Sequence, residues 1–287
     1  MSEEYKDLLN RIQQHFKKLS KGQKRIAEYI LNNYDKVAFM TASTLGEAVD
    51  VSESTVVRFA NALSYGGYPK LQKALQESIR TKLTTVQRFE MSKALDSNTD
   101  IYKGIMNQDV ENIRRTCENL DIVLLNEIAQ LIQGARKVYV LGLRSSSVLA
   151  QYLGFYLNFS VENIHIIPSG ALDVFDQIIN IGKEDLLITI TFPRYSNQTL
   201  KLTQYAHEKK ANIVAITDGV MSPVASYSKH ILMAKSDMTT FIDSLVAPLS
   251  IINALILAVG MIDKASLNKK FETLEALWKA SETYSDK

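Results

Sequence analysis

The stretch ASTLGEAVDVSESTVVRFAN, Ala42 to Asn61, decides how the first third of the chain reads. Its apolar positions Leu45, Val49, Val51, Val56 and Phe59 recur at the spacing of two short helices around a tight turn. Gly46 is small where the two helices would cross. Asp50 stands where the chain must turn, a position that favours a residue able to adopt the left-handed conformation. Ser52 is then a natural N-cap for the second helix. The outward residues of that helix, Glu53, Ser54, Thr55, Arg58 and Asn61, are nearly all polar. Such a helix suits a major groove, with its N-terminal residues on base edges; the same spacing also suits an ordinary helical hairpin.

Upstream, Leu8, Ile12, Phe16 and Leu19 mark one face of a first helix. Ser20 and Gln23 have the spacing of a capping box, which predicts a second helix with Ile26, Ala27, Ile30 and Leu31 as its buried stripe, ending near Asn32 and Asn33. Downstream, SYGGYPK (Ser64 to Lys70) must turn, and Pro69 suits the start of another helix carrying Leu71, Leu75 and Ile79. Tyr68 and Lys70 there are candidates for phosphate contacts or plain surface residues. Residues 1–80 hold twelve Lys/Arg and nine Asp/Glu, a bias too mild to argue for nucleic acid without the pattern.

Between Arg80 and Asp100 the periodicity weakens, which places the interdomain connection there. Two helices follow, marked by Ile101, Ile105, Val110, Ile113 and Cys117, then by Leu124, Leu125, Ile128, Leu131 and Ile132. Beyond Gly134 the texture changes. The runs KVYVLGL, NIHIIP, DLLITIT, NIVAIT and HILMA have strand length and near-continuous apolar character, and helical stretches at 148–159, 171–180 and 199–209 fall between the first four. That alternation predicts a mainly parallel, doubly wound five-stranded sheet covered on both faces, with its ligand site beyond the carboxyl ends of the strands. The expected organisation is therefore a helical domain at 1–80, a helical linker at 81–120 and an α/β domain at 121–287.

Two loops on that strand edge carry chemistry. The first strand leads into Gly142, Leu143, Arg144, Ser145, Ser146 and Ser147, where small residues let a ligand approach and a helix N-terminus attracts an anion. The third leads into Thr191, Phe192, Pro193, Arg194, Tyr195 and Ser196, with Ser196 able to cap the next helix. An Arg and hydroxyls in both loops suggest an anionic ligand such as a phosphate ester; either Arg could equally meet a carboxylate at a subunit contact. The spacing fits neither the dinucleotide fingerprint nor Walker A, so no nucleotide cofactor is expected. The four histidines, His15, His165, His207 and His230, have no metal-ligand spacing, and no nucleophile elbow or acid–base pair stands out; neither metal nor catalytic residue is assigned.

At 287 residues the chain has length for two domains and a sizeable core. It carries 33 Lys+Arg against 31 Asp+Glu, a formal charge of +2, with 46% hydrophobic residues. Its one cysteine, Cys117, closes no intrachain disulfide and rules out a Cys-rich zinc module; its helical setting predicts a buried thiol in a reducing compartment. The start shows no secretory h-region, so a cytoplasmic protein is expected. Leu245 to Met261 is apolar but contains Pro248, Ser250 and Asn253, which favours a helix buried in a core or subunit interface over a membrane span.

The order of elements and several segments resemble the RpiR family of bacterial transcription regulators. The N-terminal part, including the V-S-x-x-T-V-x-R-F core at Val51 to Phe59, is similar to that family's DNA-binding domain. Residues from about 120 onward are similar to its sugar isomerase (SIS) domain, through Gly142 and Ser146, AITDGVMSPVA after the fourth strand and the late FIDSLVAPLSIINALI. The resemblance implies a regulator that binds double-stranded operator DNA as a homodimer or homotetramer, under control of a phosphosugar or other anionic metabolite. Arg58, Ser54 and Thr55 would then contact bases, with Ser52, Tyr68 and Lys70 at phosphates and Asn61 as a further DNA-binding residue. Gly142, Arg144, Ser145, Ser146, Thr191, Arg194, Tyr195 and Ser196 would hold the effector, with Ser244 from the start of the late helix. Where such SIS domains commonly read S-x-S-G-x-T after the third strand, this chain has no glycine, and Arg144 stands at a first-loop position often held by glycine. The alternative is a sugar-phosphate isomerase whose helical N-terminus serves assembly.

Overall fold

The computed structural model describes residues 8, 11–12, 14–79, 85–86, 88–89, 100–168, 174–238 and 241–284. The chain divides into two compact units, Met1–Ala94 and Leu95–Lys287. Most of the expected connection at 81–100 lies outside the described residues.

In the first unit α1 spans Lys21–Val37 behind the anticipated capping box: Gln23 N donates to Ser20 Oγ while Ser20 N donates to Gln23 Oε1. The helix does not stop at Asn33. That residue leaves the helical region (φ −140°, ψ 34°), its amide donates to Tyr29 O, and the helix resumes after the kink. Then come α2 (Ala42–Ala48), α3 (Glu53–Ala62) and α4 (Tyr68–Ile79). Leu8, Ile12, Ile26, Ile30, Leu45, Val56, Phe59, Leu63, Leu71 and Leu75 are buried in one apolar cluster. Each such side chain contributes roughly 1.5–3 kcal/mol of hydrophobic stabilisation. Leu31, expected in the buried stripe, is exposed.

The second unit opens with α5 (Asp100–Glu118) and α6 (Ile122–Gly134). Of the stretch 81–120 expected as linker, residues 100–118 are thus part of this unit. Its five parallel strands are β1 (Val138–Gly142), β2 (Ile164–Ile167), β3 (Leu186–Ile190), β4 (Asn212–Thr217) and β5 (His230–Met233), in the order β2-β1-β3-β4-β5. Residues alternate between the two faces: Val138, Val140, Leu186, Ile188 and Ile190 enter one cluster, Tyr139, Leu141 and Leu187 the other. The first cluster is closed by α6, α7 (Ser147–Leu157) and α9 (Val246–Gly260), the second by α8 (Asn197–Glu208). A last helix, α10 (Lys264–Ala280), has no buried residue.

Three expectations change here. The helix expected over 171–180 is, among the described residues, only a 3₁₀ turn at Asp176–Ile178; residues 171–173 are not described. Cys117 is exposed, not buried. Of the apolar stripe that marked α5, Val110 points outward like Cys117, while the buried residues of that helix, among those described, are the polar Asn112 and Thr116. The residues around Leu245 form α9, whose Ile251, Ile252, Leu255 and Val259 are buried against the sheet. Among the described residues no single helix is long and apolar enough to cross a membrane.

Candidate nucleic-acid interface and ligand crevice

The turn between α2 and α3 is tight because Gly46 lacks a side chain: a Cβ there would lie 2.7 Å from Val51 O. Asp50 takes the left-handed conformation (φ 53°), and Arg25 Nη2 donates to its carbonyl at 2.7 Å, holding the turn from α1. Ser52 occupies the N-cap position, yet its hydroxyl makes no cap bond; it pairs with Ser54 Oγ at 3.0 Å and Thr55 Oγ1 at 2.9 Å. Arg58 folds back over the same turn, donating from Nε to Ser54 O at 3.2 Å and from Nη2 to Thr55 Oγ1 at 3.3 Å. The structure therefore joins Ser52, Ser54, Thr55 and Arg58 in one hydrogen-bonded surface patch, with Asn61 exposed one turn beyond Arg58.

Lys70 is exposed, but Tyr68 is not a phosphate contact. It is buried, and its hydroxyl donates to Met40 O at 2.8 Å. Burial pushes the phenol pKa up to about 12, so it remains a donor at neutral pH. The aromatic ring and the backbone carbonyl together make Tyr68 a strut between α4 and the end of α1.

In the second unit β1 and β3 are hydrogen-bonded neighbours with Gly142 opposite Ile190, so the loops leaving them share one edge. This is the point where strand order reverses, the place where open parallel sheets bind ligands. Arg144–Ser146 forms a 3₁₀ turn into α7. A methyl group on Gly142 would overlap Ser146 O, so this glycine is needed for the fold-back of its own loop. Ser146 is buried, whereas Arg144 and Ser145 are exposed. Ser145 Oγ donates to Asp243 Oδ2 at 3.1 Å.

In the β3 loop Thr191, Phe192 and Pro193 are buried, and Phe192 joins the core. The loop emerges at Arg194, and Tyr195 Oη donates to Asp218 Oδ1 at 2.8 Å. Ser196 caps α8 by accepting from Thr199 N at 3.3 Å. Ser244, expected at the effector, instead donates to Asp109 Oδ1 of α5 at 2.6 Å. The β5–α9 connection is further tied to α5 by Asn112 Nδ2 donating to Asp237 O (2.8 Å), by the Arg115–Asp237 ion pair (2.9 Å) and by Lys235 N donating to Thr116 Oγ1 (2.9 Å). Asp109, Asp218 and Asp243 were missed in the sequence; Asp218 alone carried a signal, as a charge directly after an apolar strand. Among the described residues no group of three or more His, Cys, Asp or Glu is arranged to hold a metal ion.

Comparison with known proteins bears on both sites. Residues 6–82 match the helix-turn-helix domain of the rpiR family, and residues 131–258 match the SIS domain. The chain is 26% identical over 238 residues to an uncharacterized HTH-type transcriptional regulator of Haemophilus influenzae, covering 79% of each. It is 26% identical over 230 residues to the HTH-type transcriptional regulator HexR of Pseudomonas aeruginosa, covering 78% of this chain and 77% of that one. Its fold is similar to that of the Vibrio vulnificus NanR protein complexed with ManNAc-6P, with a TM-score of 0.56 and 20% identity over 95% of this chain and 98% of that one.

Proposed function

Because the chain belongs to the RpiR family of helix-turn-helix transcriptional regulators that carry a SIS domain, we propose that α3 reads an operator whose occupancy is set by an anionic metabolite, a phosphosugar or a relative of one, at the ends of β1 and β3. The observation that carries the DNA assignment is the patch on α3. Ser54, Thr55 and Arg58 lie together, and the guanidinium is already held by two hydrogen bonds, which reduces the entropy lost on contacting a base. Lys70 and Ser52 supply phosphate contacts. A homodimer, or a tetramer built from it, presents two such helices to a near-palindromic site in the cytoplasm.

The SIS domain serves binding and not turnover. Its effector contacts are Arg144, Ser145, Ser146, Thr191, Arg194, Tyr195 and Ser196, with Gly142 shaping the first loop. Ser244 acts one step removed, through Asp109 on α5. An effector that binds two states of the molecule unequally, by a typical 1–3 kcal/mol, suffices to switch operator occupancy. Selection of genomic fragments on the purified protein, with and without a panel of phosphosugars, tests both parts. Recovery of one fragment class whose retention changes with one compound is the expected result. Turnover of a phosphosugar without DNA retention would overturn the reading in favour of an isomerase.

A further inference from the structure

Six residues other than glycine have positive φ among the described residues, and they fall into two groups. Asp50, Ser64, Lys210 and Glu282 each follow directly on the C-cap of a helix, at α2, α3, α8 and α10. A left-handed residue is the ordinary way for a helix to end, so those four need no further account. Arg144 (φ 57°) and Arg194 (φ 69°) follow strands, not helices. Both stand in the loops of β1 and β3, whose ends are paired neighbours. The left-handed conformation is costly for a residue with a Cβ, and a long cationic side chain does nothing to lower that cost. Two such residues at one edge of one sheet point to a use for the side chains.

The loops share a second feature. The residue after each arginine uses its hydroxyl to anchor the loop to an aspartate of another segment: Ser145 to Asp243, just before α9, and Tyr195 to Asp218, just after β4. The anchors hold each arginine's backbone while leaving both arginines exposed. Thr199, in the first turn of α8, has a buried hydroxyl oxygen with no hydrogen-bond partner among the described residues.

Resting on the reading of this crevice as the effector site, we infer that the effector carries two separated anionic groups, a sugar-acid phosphate or a sugar bisphosphate, with Arg144 holding one group and Arg194 the other. A guanidinium matches either a carboxylate or a phosphate with two parallel hydrogen bonds, and one arginine on each of two separately anchored loops offers one such cation per loop.

Calorimetric titration of the full-length protein tests this, with 6-phosphogluconate and fructose 1,6-bisphosphate as two-anion probes and fructose 6-phosphate and gluconate as one-anion probes. One two-anion probe is expected to bind at least tenfold more tightly than either one-anion probe, and which of the two does so separates carboxylate from second phosphate. Arg144→Gln and Arg194→Gln should each abolish that advantage, with only one of them weakening fructose 6-phosphate. Arg144→Gly and Arg194→Gly, which relieve the backbone, should do the same without lowering Tm; a purely structural arginine would lower it. Equal affinities for one-anion and two-anion probes, absence of binding by every probe, or equal loss of fructose 6-phosphate binding in both Gln variants overturns the inference. Control of operator binding by fructose 6-phosphate alone sinks it while leaving the regulator reading intact. A two-anion ligand bound as described by a protein that retains no DNA supports the crevice assignment and sinks the regulator reading.

Discussion

Arg58 and Tyr68 were given similar roles by their surroundings in the sequence, and the structure separates them. Arg58 is exposed and its hydrogen bonds stay within α3, so its removal leaves the core untouched. Arg58→Ala is expected to cost about 1–3 kcal/mol of operator binding, measured at fixed salt, with an unchanged Tm. Tyr68→Phe should do the opposite. It removes the bond to Met40 O, an acceptor that keeps its bond from Gln72 Nε2, so stability should fall by about 1 kcal/mol while operator affinity holds. A Tyr68→Phe protein with normal Tm and weakened DNA binding would return Tyr68 to the interface. Local residue type could not make this distinction, because a tyrosine in a Gly-rich turn looks accessible until the helices packed around it are known.

Among the elements, α5 shows how a correct periodicity misleads. The recurrence of Ile105, Val110, Ile113 and Cys117 marks a helix, and a helix is there; what fixes it to its own unit is a polar face, Asp109, Asn112, Arg115 and Thr116 against the β5–α9 connection. That connection also holds Asp243, the anchor of the Arg144 loop. Hydrogen bonds thus link the Arg144 loop to Asp243, and the next residue, Ser244, to Asp109 on α5. Asp109→Ala should bring the ratio of operator Kd with and without saturating effector towards one, from the roughly 5- to 150-fold of typical coupling, while effector Kd in the absence of DNA changes little. Ser244→Ala should reproduce it. A full ratio in both variants would show that coupling takes another route. The capping box of α1 and the turn at Asp50 were legible because each depends on residues within a few positions of one another; the face of α5 depends on a segment more than a hundred residues away.

For the whole molecule, two features set behaviour that no single site explains. Asp185 is fully buried at the base of the sheet, where Arg136 bonds it twice, Nε to Oδ1 at 2.9 Å and Nη2 to Oδ2 at 2.7 Å, and Gly182 N donates at 2.8 Å. Burial alone would raise the carboxyl's pKa, but these donors hold it below the usual range. His165 and His230, on the two edge strands, are lowered by burial and by Lys137 and Lys229 respectively. All three shifts have one sign: the unfolded chain takes up each proton more readily than the folded one. Stability should therefore be greatest above about pH 6.5 and fall first as the histidines titrate. A second loss should begin below about pH 4 as Asp185 titrates, read as Tm against pH. Arg136→Gln should lower Tm at neutral pH and shrink that second loss, because the folded-state pKa of Asp185 then rises towards or above its unfolded value. The other feature is an aromatic cluster on the surface of the second unit, Tyr152, Phe155, Tyr156, Phe159 and Phe271, beside the wholly unburied α10. With Phe155 58% exposed, a patch of this kind calls for a covering surface, and a second copy of the chain is the one the regulator reading requires. With the homodimer or tetramer proposed above built on this patch, Phe155→Glu should reduce the sedimentation mass to that of a monomer; an unchanged mass would place the subunit contact elsewhere.

The amino-acid sequence by itself determined the two-part architecture, the turn at Gly46 and Asp50, the parallel sheet and the two loops at its carboxyl edge. All of these follow from short-range periodicity, capping and turn chemistry. Only the tertiary structure decided that Tyr68 is a strut, that Ser244 answers to α5, that Gly142 serves its own loop and that Arg144 and Arg194 share left-handed backbones at paired strand ends. Those facts depend on which distant segments meet, and the free energy of such meetings is set by packing and by the satisfaction of buried polar groups, which no local pattern encodes.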